Sequence, residues 1–174
     1  MSSSISHSIK KREKANDVFI TPLDLSKKQI DMIEYNEGDI WFDPFKNSGS
    51  YYNQFPNEKK IWTEILEGKD FFEETRQVDI ICSNPPYSIL DKVFEKSIEL
   101  NPRVISYLIG VSNLTNKRIE LMNQNGYGLT KMYWTKIYTW YGMSCIVMFE
   151  KGKSNMDGFG YDRKIWREKE EKSS

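Results

Sequence analysis

Histidine is almost missing from this sequence. The one copy, His7, lies in a Ser-rich stretch at the amino terminus, away from every apolar segment. That shortage argues against a catalytic imidazole, a Ser-His-Asp triad and a His-rich metal centre, and no metal-ligand set is assigned. Cysteine is scarce as well: Cys82 and Cys145 sit in apolar, strand-like runs and read as reduced core residues of a cytosolic-type protein. Net charge is zero, with 25 basic and 25 acidic residues, so any nucleic-acid contact has to come from a local basic patch. No apolar run reaches membrane-spanning length. The polar start MSSSISHSIKKREK lacks the apolar core of a signal peptide. These readings describe a soluble, cytoplasmic protein with no membrane partner.

What is present suffices for one folded domain: 39% hydrophobic residues can build a core, and 29% charged residues can keep its surface wet. Residues 1–16 read as a flexible basic tail, 17–150 as the domain, and 151–174 as a polar tail with a short charged helix around Trp166. Within the domain a helix is expected from Pro22, with Leu23, Leu25, Ile30 and Ile33 as its apolar face. Strands are expected at DIWFD (39–43), KIWTEIL (60–66), VDIICS (78–83) and RVISYLIG (103–110). Helical spacing of Ile89, Val93, Phe94 and Ile98 predicts a helix over 88–100, and a second is expected over 113–126, stopped by Gly126. Two further strands fill 129–152 and turn near Tyr141-Gly142. The alternation predicts an α/β, Rossmann-like, doubly wound sheet, mostly parallel with an antiparallel final strand. Of Tyr133, Trp134, Tyr138, Trp140 and Tyr141, all but one or two are expected in the core, as aromatics in strands usually are.

Two turns stand out, because ligands of such sheets bind beyond the carboxyl ends of the strands. The first is DPFKNSGS (43–50), in which Asp43 ends an apolar strand and a small-residue loop follows. Gly49 allows close backbone approach to a ligand, and Asn47 tolerates a left-handed conformation. The loop is no phosphate-gripping P-loop, since it lacks a Gly-Lys-Ser/Thr end. The second turn is NPPYS (84–88), where two prolines halt an apolar strand and present a stiff turn.

Together these turns resemble the class I S-adenosylmethionine-dependent methyltransferases, and among them the adenine-specific (N6) DNA methyltransferases with an Asn-Pro-Pro-Tyr turn. The resemblance covers roughly residues 17–150. It implies S-adenosylmethionine as cofactor and methyl transfer to the adenine N6 amino group in DNA. The segment FITPLDLS is similar to the family's upstream cofactor segment and implies cofactor roles for Phe19, Thr21 and Pro22. In the same way Asp43, Phe45, Asn47, Gly49 and Ser50 match the cofactor loop, with Asn47 where glycine is usual. Glu64 matches the acid that holds the cofactor ribose, and Asp70-Phe71 the pair that holds its adenine. Asn84, Pro85, Pro86 and Tyr87 match the catalytic turn.

The chemistry suits these residue types. An exocyclic amino nitrogen conjugates its lone pair into the ring and attacks poorly. Two acceptors, Asn84 Oδ1 and the Pro85 carbonyl, can take its N–H bonds and direct the lone pair out of plane, while Tyr87 stacks on the ring. The same clamp would serve RNA adenine or a protein glutamine amide, and a catalytically silent, binding-only relative is the alternative of another class. The sequence shows one strand fewer than the family's seven and no separate target-recognition domain. Recognition of DNA is therefore expected to come from a partner subunit or a dimer mate.

Overall fold

The computed structural model describes residues 20–168; the basic tail 1–16, His7 and Phe19 fall outside them. The first helix, α1 (Leu23–Asp31), starts directly after Pro22, whose ring fixes φ at −54° and so sets the entry. Of the apolar face expected, Ile30 and Ile33 are buried and Leu25 packs on the core, but polar residues share the buried side. Ser26, Gln29 and Ile30 face inward, while Leu23 is exposed. The reason is hydrogen bonding: Ser26 Oγ donates to the Ser50 carbonyl (2.9 Å), and Gln29 Nε2 donates to Ser106 Oγ (3.0 Å). Polar side chains can be buried on a helix when partners meet them.

Six strands form one sheet: β1 (Trp41–Asp43), β2 (Lys60–Trp62), β3 (Ile80–Ser83), β4 (Val104–Gly110), β5 (Tyr127–Thr135) and β6 (Ser144–Lys151), in the order β2-β1-β3-β4-β6-β5. The first four run parallel, and β6 enters antiparallel between β4 and β5. Strand alternation splits the core in two. Phe42, Ile81, Ile105 and Phe149 point to the face covered by α2 (Leu90–Glu99) and α3 (Asn116–Gln124), whereas Trp41, Ile80, Val104 and Met148 point to the face covered by α1. Cys82 and Cys145 fall in different clusters, both reduced and buried. Burial raises both thiols, Cys145 to about 11.

Two expectations are corrected. The strand expected over 60–66 ends at Trp62, because Glu64 caps a turn over Ile65–Glu67 that Gly68 closes at φ 80°. The charged helix expected around Trp166 is absent; residues 161–168 contain no helical turn. The stretch just after β6, however, is anchored. The amide of Gly152 donates to the Gly126 carbonyl (2.7 Å) and that of Met156 to the Leu129 carbonyl (2.8 Å), while Asn155 pairs its side-chain amide with that of Asn123. Among the described residues no helix is long and apolar enough to cross a membrane.

This anchored stretch runs so close to β5 that a Cβ at Gly128 would stand 2.2 Å from the Lys153 carbonyl oxygen. Gly128→Ala is therefore expected to destabilise the fold by about 1–3 kcal/mol through overpacking, seen as a lower melting temperature and faster hydrogen exchange at residues 152–156. Unchanged exchange there would contradict the packing.

Candidate active site

The two turns singled out in the sequence lie side by side, at the carboxyl ends of the paired parallel strands β1 and β3. Asp43 ends β1 and is fully buried; Ser83 ends β3, and its hydroxyl donates to Asp43 Oδ1 at 2.6 Å. The Phe45 amide adds a second bond to the same oxygen (3.2 Å), and Asp43 Oδ2 has no hydrogen-bond partner. Burial dominates the electrostatics and pushes the carboxyl up to about 7, against the pull of Ser83 and the nearby backbone amides.

Beyond Asp43 the loop is held by its own neighbours. Thr63 Oγ1 donates to the Pro44 carbonyl (2.7 Å), and the Lys46 amide to the Thr63 carbonyl (3.2 Å). Asn47 takes a left-handed φ of 49° and Gly49 one of 92°. Gly49 is required twice over, since a Cβ there would also stand 2.5 Å from Asn53 Nδ2. Glu64 is buried, and its carboxylate accepts from the Asn47 amide (2.9 Å) and the Leu66 amide (3.1 Å). In this structure its work is to fix the loop. Asp70 accepts from the Phe72 amide (2.9 Å) and starts the turn Phe71–Glu73. Phe71 is a core residue packed on Phe42 and Phe45. Ser50 is buried, with its carbonyl bound by Ser26 and Gln54, and Pro22 sets the start of α1.

Asn84, Pro85 and Pro86 are buried, and Tyr87 is half-buried. Asn84 Nδ2 donates to the hydroxyl of Thr21 at 3.3 Å, 63 positions away in sequence. Thr21 also acts on the Tyr51 phenol in the direction of a hydrogen-bond donor. Tyr51 in turn donates to Gln29 Oε1 (2.7 Å), and Gln29 Nε2 reaches Ser106 in β4. Hydrogen bonds thus run from Ser106 in the sheet through Gln29 to Tyr51, and Thr21, which lies beside Tyr51, holds the amino end of the Asn84 amide. Sequence reasoning missed Gln29, Tyr51 and Ser106. Their one signal was Gln29 standing three positions after Ser26, on the face of α1 that packs inward.

Tyr87 lines a groove of about 740 Å³ with residues 110–113 and 139–144. Its ring lies beside Gly110, where a Cβ would stand 3.7 Å from Tyr87 Cε2. The aromatic residues beside this groove overturn an expectation. Only Trp140 is buried; Tyr133 and Trp134 are exposed, and Tyr138 and Tyr141 are almost wholly so. They sit on the β5–β6 hairpin at the sheet margin, where β5 is the edge strand and Lys28 of α1 lies over the Tyr133 ring.

No protein-family model and no curated protein matches the sequence. Solved structures do share its fold, the class I methyltransferase fold. A methyltransferase from Pyrococcus furiosus superposes with a TM-score of 0.58 at 17% identity, covering 76% of this chain and 84% of that one. Magnesium protoporphyrin IX methyltransferase from Synechocystis PCC 6803, with bound S-adenosylmethionine, gives 0.56 at 9% identity, covering 74% and 77%. A modification subunit of a putative type I restriction enzyme from Vibrio vulnificus YJ016 gives 0.55 at 13% identity, covering 83% of this chain but 47% of that one.

A buried carboxyl raised to about 7 makes stability depend on pH. Its folded pKa lies above the unfolded value near 4, so the folded state holds the proton more tightly. The protein is most stable below pH 4 as far as this group is concerned, and loses up to about 4 kcal/mol as pH rises through 4 to 7. Asp43→Asn should flatten that part of a stability-versus-pH curve measured by denaturant unfolding. An unaltered slope would mean that folding does not raise the Asp43 carboxyl above its unfolded value.

Proposed function

We propose that this chain transfers a methyl group from S-adenosylmethionine to the N6 amino group of adenine in DNA. One observation carries the reading: Asp43 and Asn84 stand at the ends of neighbouring parallel strands and are linked through Ser83, so the loop and the NPPY turn form one site. The neighbouring folds, one solved with S-adenosylmethionine and one a modification subunit, support it.

The residues suit this cofactor. Asp43 Oδ2 is a buried acceptor without a partner, fit to take a donor such as the cofactor's ammonium. The loop over Asn47–Ser50 gives the backbone close approach, with Gly49 at a positive φ. Phe45 would offer an aromatic wall and Asp70 a polar group, and Glu64 stiffens the loop by accepting from the Asn47 amide. When bound, the sulfonium supplies an electrophilic methyl.

The chain's own task is to make a poor nucleophile attack. Because the amino end of the Asn84 amide is held by Thr21, its Oδ1 end is turned away from Thr21 as an acceptor. Asn84 Oδ1 and the Pro85 carbonyl would take the two N–H bonds of the target amine, leaving the lone pair aimed out of the ring plane. Two prolines keep these acceptors from relaxing. Tyr87 offers a face for the base to stack on.

Asn84→Ala should slow methyl transfer on the order of a hundredfold, while calorimetry finds the cofactor affinity changed by less than about threefold. Asn84→Asp, which still accepts, should be milder. Thr21→Val should cost about five- to tenfold in rate by freeing the amide to turn, and Thr21→Ser should recover most of it. An Asn84→Ala protein transferring methyl at the wild-type rate would sink the reading.

A further inference from the structure

The β5–β6 hairpin carries a surface that the site chemistry leaves unused. Trp134 is 59% exposed, Tyr138 96% and Tyr141 105%, with Met143 at 48% beside them. Large aromatics left this bare on a folded domain mark a contact surface. The hairpin tip is not remote. Gly110, the last residue of β4, pairs with Ser144, the first of β6, and Tyr87 lies against Gly110. Of the exposed side chains, Tyr141 and Met143 line the same groove as Tyr87, and Tyr138 stands next to Thr139 at its margin.

Charge tells what kind of partner fits. The chain as a whole is neutral, yet its charges are unevenly placed. From Val104 to Phe149 there are four basic residues, Lys117, Arg118, Lys131 and Lys136, and one acidic residue, Glu120. Glu120 is paired with Arg163 and Arg118 with Asp91. That leaves Lys131 and Lys136, which donate to the Met32 and Trp140 carbonyls, as the hairpin's cations near the rings. The hairpin's one carboxylate, Glu150, lies at the end of β6 away from the tip. A second copy of this chain, neutral overall, gains nothing from that bias, whereas a polyanion does.

Bare aromatic rings interspersed with cations form a stacking platform for unpaired bases, each of which offers a π-face to a ring. A duplex hides those faces. We infer that the hairpin binds single-stranded DNA, with Tyr138 and Tyr141 stacking on bases that flank the adenine held at Tyr87. Unpaired DNA would then be the preferred substrate of this chain on its own. This rests on the function proposed above for the choice of adenine, but not for the stacking itself.

The test measures binding of the full chain to a fluorescent adenine-containing oligonucleotide by anisotropy. The partners are the same sequence as a paired duplex, an abasic strand of equal length, and a ribo version. The single DNA strand should bind at least about tenfold more tightly than the duplex or the abasic strand. The double variant Tyr138→Ala/Tyr141→Ala should lose roughly five- to a hundredfold of that affinity, with cofactor affinity and melting temperature unchanged. Equal affinity for the abasic strand, or an unaffected double variant, would overturn the stacking surface. Tighter binding of the ribo strand would overturn the choice of DNA. A concentration-dependent dimer that the double variant abolishes would overturn the occupant, making the hairpin a self-association face. Single-strand binding without any methyl transfer would leave this inference standing and remove the proposed reaction; methyl transfer with an indifferent hairpin would do the reverse.

Discussion

The hydrogen bond from Ser83 to Asp43 is the constraint on which the upper edge of the sheet depends. It joins the last residues of two neighbouring parallel strands inside a region with no access to water. Each residue hands the chain to a turn: Asp43 to the loop over 44–50, Ser83 to the double proline. Fixing one strand end against the other fixes where both turns point. The arrangement is costly, since a buried carboxyl with one oxygen unpartnered forgoes about 1–3 kcal/mol of hydrogen bonding. Proteins tolerate such a deficit where a ligand completes the bonding.

The second support comes from α1. Most surface helices attach by an apolar stripe, but this one turns Ser26 and Gln29 inward and binds the loop through the Ser50 carbonyl and the sheet through Ser106. Hydrogen bonds are directional in a way that apolar contact is not. The helix therefore sets position and orientation together, and through Tyr51 and Thr21 its influence reaches the Asn84 amide. The buried Asn84 amide thus takes its orientation from the side of the central sheet.

Much of this was legible in the sequence because it is written in local patterns. The apolar runs at Ile80–Ser83 and Val104–Gly110 could hardly be anything but buried strands, and the double proline after Ser83 marked a strand end. What the sequence hid depends on distant partners. KIWTEIL alternates like a strand, yet Glu64 reaches the Asn47 amide and caps a turn, so the pairing stops at Trp62. Nothing in the sequence hinted that Phe71 packs on both Phe42 and Phe45, a contact between residues distant along the chain. Tyr138 and Tyr141 have the residue type of a strand interior, and only their place on a marginal hairpin exposes them. Gln29 and Tyr51 gave little signal beyond the Ser26–Gln29 spacing, since a polar chain is recognised only once its members are seen to meet.

The most direct test is to incubate the protein with S-adenosylmethionine bearing a deuterated methyl group and mixed DNA and RNA, digest both to nucleosides, and weigh them by mass spectrometry. The expected product is N6-methyldeoxyadenosine carrying three deuterons, formed about a hundredfold more slowly when Asn84→Ala replaces the wild-type protein. Label on no nucleoside, or on a position other than an exocyclic amine, would contradict the reading of the two turns as one amino-methylating site.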